Sequence, residues 1–194
     1  MPNQERYREL LENIREAHAE HKKIWEEKKR RTKNSAKAYE AADAANRVLI
    51  LRLRELYETT LTPRRAAFLK GNPQAIDEII SFLGVDVPAF RTGYDKEWFY
   101  GKLKKLSLSE EQIAALRGIA LARCASNEYR REDSELRRLM IGLADMEFLE
   151  KIAAIPSKKA SRVEGHKRRM LQVVLAGRKD LREAVKNTGN ATVS

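Results

Sequence analysis

Residues 7–25 read YRELLENIREAHAEHKKIW. Tyr7, Leu10, Leu11, Ile14, Ala17, His21, Ile24 and Trp25 recur at steps of three and four, and mostly polar residues fill the gaps. That spacing lays one apolar stripe along an α-helix. The pattern fades in the basic stretch Lys28–Lys33. Asn34 and Ser35 then offer short side-chain acceptors to the first amides of a second helix. Its stripe is Ala38, Ala42, Ala45, Leu49, Leu53 and Leu56. Two amphipathic helices with a short polar connection fold back as an antiparallel hairpin. The expected hairpin occupies residues 1–60, with the basic stretch at its tip.

The same class continues downstream, marked off by capping signals. Thr62-Pro63 reads as an N-cap with a first-turn proline, and Gly71 as the stop of that short helix. Asn72-Pro73 opens the next helix, which carries Ile76, Ile79, Ile80 and Leu83 and closes at Gly84. A loop to Gly93 precedes a helix from about Tyr94 to Leu106. In that helix Trp98 and Phe99 are expected to share the core, while Tyr100 leans outward as a partner-binding residue, because successive residues turn by about 100°. Ser109 and Gln112 form a capping box for a helix bearing Ile113, Leu116, Ile119, Ala120 and Cys124. Further helices are expected over Asn127–Gly142, after the cap Asp145, and beyond Pro156-Ser157, where Val163, Met170, Val173 and Val174 make the apolar side. Gly177 interrupts that last helix, and a turn or two follows at Leu181–Val185.

No stretch alternates apolar and polar residues with β-branched enrichment, so no sheet is expected. The fold class is all-α: an antiparallel hairpin over 1–60, an irregular bundle or HEAT-like array of short helices over 61–186, and a flexible tail over 187–194.

At Phe90-Arg91-Thr92-Gly93-Tyr94-Asp95-Lys96-Glu97 the chain resembles uncharacterised bacterial helical proteins that carry a Phe-Arg-Ser-Gly-Tyr-x-Lys-Glu segment. Arg130-Arg131-Glu132 is similar to their later Arg-Glu-aromatic stretch, with Asp133 in place of the aromatic. The resemblance spans residues 90–175 and leaves the hairpin unmatched. It implies HEAT-like helices and brings no activity with it.

The search for chemistry is mostly negative. The sequence holds no Gly-rich phosphate loop and no Gly-x-Ser-x-Gly elbow. One cysteine and three histidines cannot build a zinc finger. His18 and His21 share a helix face, but no Glu-x-x-His pattern accompanies them. Cys124 reads as a small buried hydrophobe. Arg15 and His21 fit the Arg-x5-His spacing of helical HEPN-type ribonucleases, which is kept as a distant alternative. The expectation is a non-enzyme with no cofactor and no metal. No apolar run approaches the roughly 18 residues of a membrane span, and Met1–Tyr7 is polar, so a cytoplasmic protein with no membrane partner is expected.

Charge carries the functional expectation. The 194 residues have a formal net charge of +11. Residues 156–194 hold 10 basic and 3 acidic groups, while residues 107–155 hold 7 and 9. Lys158, Lys159, Arg162, Lys167, Arg168 and Arg169 cluster in the C-terminal helix region, and Lys28, Lys29, Arg30, Arg31 and Lys33 at the hairpin tip. Clustered cations fit phosphates and release their counterions. The sequence therefore points to a non-catalytic protein whose basic helices contact RNA or DNA without strong sequence specificity. The alternative is a protein–protein adaptor, or a subunit of a larger bacterial complex, that engages its partner through apolar helix faces. The hairpin is the expected seat of any homo-oligomer.

Overall fold

The structure is a computed structural model that describes residues 3–30, 36–159 and 161–187. Among the described residues every regular element is a helix and none is a strand. The fold is all-α. Contacts gather into two compact units, Met1–Gly93 and Tyr94–Ser194.

The first unit begins with α1 (Gln4–Arg30) and α2 (Ala36–Leu56). Tyr7, Leu10, Leu11 and Ile14 of the α1 stripe are buried, as are Ala42, Leu49 and Leu56 of α2. The last third of α1 faces the first half of α2: His21, Trp25 and Lys28 line one cleft with Tyr39, Ala42, Asp43 and Asn46. That meeting is compatible with the expected antiparallel hairpin. The connection 31–35, with the expected caps Asn34 and Ser35, lies outside the described residues, as does the expected tail 187–194 apart from Asn187, which ends a helix.

Thr62-Pro63 does not restart the chain with a cap. Leu61 and Thr62 both have right-handed helical dihedrals, and no side chain caps the junction. Instead Tyr57–Leu61 forms a π turn, in which the Thr62 amide reaches Tyr57 O five residues back. α3 (Thr62–Leu69) continues from it. Proline has no N–H, and its ring crowds the carbonyl one turn earlier; a wider turn relieves that conflict. Arg64 donates to Thr60 O at 2.8 Å, taking up a carbonyl in the widened turn. The turn also resets the phase. In a straight α-helix Leu61 would point roughly 140° away from Leu56. With five residues in one turn it falls back on the same side, and Leu56, Leu61 and Phe68 are all buried.

α3 ends at Gly71, whose φ of 76° is the left-handed value that glycine adopts without strain. Asn72 then caps α4 (Pro73–Leu83), its Oδ1 accepting from the Ala75 amide at 3.0 Å. α4 packs on both α3 and α1, and Tyr7 and Phe82 meet with ring centroids 5.6 Å apart.

The second unit takes in most of α5 (Thr92–Leu103), then α6 (Glu110–Ala125), α7 (Asp133–Leu143), α8 (Met146–Ala154), α9 (Arg162–Gly177) and α10 (Lys179–Asn187). α9 is its hub, packed by α6, α7, α8 and α10. The Ser109–Gln112 capping box is complete, with bonds of 3.3 and 3.0 Å, and Asp145 caps α8 through the Phe148 amide at 2.8 Å. Gly177 lies so near α7 that a Cβ there would stand 2.5 Å from Ile141 Cγ2.

Tyr100 does not lean outward: it is 1% exposed, and Trp98 is the half-buried member of the aromatic run. The buried face of α5 is Lys96, Phe99, Tyr100 and Leu103, a three-four-seven spacing in which a lysine holds the first place. Trp98 stands edge-on to Phe99 with centroids 5.0 Å apart, and Lys102 lies over its outer face. α7 begins at Asp133, not near Asn127. The Asp133 carboxylate accepts from the Arg130 amide at 2.8 Å, and this local bond holds residues 126–132 out of the helix.

Candidate nucleic-acid interface

In the second unit the basic segment divides into cations that face solvent and cations that serve the fold. Ser161 caps α9, its Oγ accepting from the Glu164 amide at 3.2 Å. Lys158 and Lys159 are exposed but precede the helix, so helical steps do not align them with Arg162. Lys167 is turned to the fold and is only half-exposed. Its ammonium donates to Ile155 O at 2.8 Å, where α8 ends, and to Ser157 Oγ at 3.3 Å, and it lies 3.7 Å from Glu164. A cation on the last carbonyls of a helix is an electrostatically favoured cap. Arg162, Arg168 and Arg169 remain exposed.

Arg162 and Arg169 stand seven residues apart and so share a face of α9. Both approach the 126–132 loop: Arg162 donates to Asn127 O at 3.2 Å, and the Arg169 guanidinium lies 4.9 Å from the centroid of Tyr129. Tyr129 is 45% exposed. It stacks on the His166 ring at 4.2 Å, and its hydroxyl occupies the space that a side chain at Gly165 would need. The result is a presented aromatic ring with arginines beside it. Nothing in the sequence alone marks Tyr129, because its placement depends on the loop.

A buried polar knot fixes that loop. The Arg123 guanidinium binds Asp133 through Nε at 3.1 Å and Nη2 at 3.3 Å, and Nη2 also donates to Glu128 O at 2.9 Å. His166 Nε2 lies 3.0 Å from Glu128 O. A carbonyl can only accept, so this nitrogen carries the proton. Nδ1 faces Asp133 Oδ2 at 4.0 Å. Burial pushes the His166 pKa below its usual value, against the opposing pull of Asp133. Cys124 lines the same spot, and burial pushes its thiol up to about 12. The void among these groups is about 10 Å³, at the lower limit for one water. Asp133, Arg123 and His166 thus hold the loop through its Glu128 carbonyl and Arg130 amide, with the Cys124 thiol packed beside them.

In the first unit the basic end of α1 meets aromatic rings. Lys28 Nζ lies 3.4 Å from the Tyr39 ring centroid and 4.1 Å from that of Trp25, a cation–π clamp. Trp25 and Tyr39 are 40% and 50% exposed. With His21, Asp43 and Asn46 they border a cleft of about 360 Å³. Lys29 is exposed and lies 3.7 Å from Glu26. The Arg30 side chain, Arg31 and Lys33 lie outside the described residues. His18 stacks on Phe90 at 4.6 Å, while His21 stacks on Trp25 at 6.2 Å.

Among the described residues no helix is long and apolar enough to cross a membrane. Compared with known protein families, with curated proteins and with solved structures, the chain matches none.

Proposed function

We propose that this chain is a non-catalytic binding protein that holds RNA or DNA, single strands above all, without strong sequence preference. The observation that supports this is the Tyr129 patch: a half-exposed ring backed by His166, with Arg169 over it and Arg162 beside it on the same helix face. Single strands bind where bases stack on aromatic rings and cations track the backbone. The Trp25–Lys28–Tyr39 clamp offers the same pairing in the other unit. Binding of this kind would follow backbone charge and stacking.

Fluorescence anisotropy with labelled single-stranded RNA, single-stranded DNA and duplex DNA at several salt concentrations tests the reading. Affinity is expected to fall by about tenfold or more between 50 and 200 mM salt. Arg162→Glu/Arg169→Glu is expected to abolish most of it. Tyr129→Leu is expected to weaken single strands more than duplexes. No binding at low salt overturns the proposal.

A second reading, a protein–protein adaptor, is favoured by a separate observation: α2 exposes Val48, Ile50 and Leu51 to solvent. Stable capture of one partner protein through high salt would support it.

A further inference from the structure

α2 carries two apolar stripes, and only one is buried. The buried stripe runs through Ala42, Leu49 and Leu56. The other runs through Lys37, Ala41, Ala44, Val48, Leu51 and Glu55, all exposed, with Val48 and Leu51 at 49% and 61%. Its steps are four, three, four, three, four, the a/d spacing of a coiled-coil seam. The two stripes lie roughly a third of a turn apart on the helix surface, so packing α1 on one leaves the other open.

We propose that this second stripe pairs with the same stripe of a second copy, α2 against α2 in antiparallel orientation. The pattern is complementary to itself about the point between Ala44 and Val48. In that register Ala44 faces Val48 of the other copy, Ala41 faces Leu51, and Lys37 faces Glu55. Each small residue meets a large one, so the knobs fill the holes and the backbones approach closely. Each end of the seam brings opposite charges together. Glu55 already lies 3.4 Å from Arg52 on its own helix, and the incoming Lys37 would add a second cation to it. A parallel pairing would instead set Lys37 on Lys37 and Glu55 on Glu55, with Leu51 on Leu51 and alanine on alanine. The charges thus choose the direction and the sizes choose the register. This inference stands apart from nucleic-acid binding and survives its failure.

Sedimentation velocity of the full chain over a concentration series tests it. The wild-type chain is expected to form a dimer. Val48→Asp/Leu51→Asp is expected to be monomeric with an unchanged helical circular-dichroism spectrum, since both positions are exposed. Should that variant lose its helicity, the charge pair decides the matter. Lys37→Glu alone is expected to weaken the dimer on the order of tenfold, and Lys37→Glu/Glu55→Lys to restore it. A monomeric wild-type chain, or a dimer indifferent to the Lys37→Glu change, overturns the proposal. Failure of the double charge swap to restore association overturns the antiparallel register.

Discussion

Asp133 accepts from Arg123, accepts from the Arg130 amide, and faces the ring of His166. Removing it strands a buried guanidinium without its counter-charge. Asp133→Ala is therefore expected to cost about 3–5 kcal/mol in chemical denaturation, and to release Tyr129 together with the loop. His166 gives the region a pH dependence. Its folded pKa lies below the ordinary 6.5, so the unfolded chain takes up the proton first. Stability from this group is complete above about pH 6.5 and is lost as pH falls through the lowered value. Denaturation midpoints followed from pH 7.5 to 5 are expected to decline, and to decline less in His166→Gln. His18, also lowered by burial, adds a dependence of the same sign in the other unit.

Elements whose signals are local are legible in the sequence. The Ser109–Gln112 box, the Asn72 and Asp145 caps and the stops at Gly71 and Gly84 each rest on residues within one turn of one another, and each forms as spaced. Ser109→Ala is expected to cost about 1 kcal/mol by thermal denaturation. Signals that depend on distant partners misled or stayed silent. Tyr100 reads as outward only if Trp98 defines the face, whereas buried Lys96 shows that the face lies one residue further on. The start of α7 shifts because Asp133, a good helix cap by type, bonds backward to Arg130. Gly177 reads as a breaker, yet it ends α9 against Ile141. Gly177→Ala is expected to cost about 1–2 kcal/mol, because a branched side chain must yield to the new methyl.

At the scale of the whole molecule, the excess of positive charge has two uses, and the sequence could not separate them. Arg117 donates to Leu143 O at 2.6 Å, Arg178 to Ile141 O and Ala144 O at 3.3 and 3.1 Å, and Lys167 to Ile155 O at 2.8 Å. Helices this short have many ends, and each end leaves carbonyls in need of donors. Part of the basic composition is thus a requirement of the fold, and the candidate interface is the remainder. The two compact units each hold their own buried residues. Calorimetry is expected to resolve two transitions, with Asp133→Ala lowering one and Phe82→Ala the other. The π turn at Tyr57–Leu61 has a consequence of another sort. It works by counting: the chain has one residue more there than an α-helix would use, and the wider turn absorbs the surplus, so Leu61 and Phe68 stay in step with Leu56. Exchanging exposed Glu58 for another residue leaves the tally intact. Deleting Thr59 would leave a plain α-turn in which Leu61 follows Leu56 by four positions and still falls about 40° from it, so Phe68 keeps its side; one further residue would instead swing everything after it by about 100°. Within these five positions evolution is free to change the letters, and even to drop one, but not to add one.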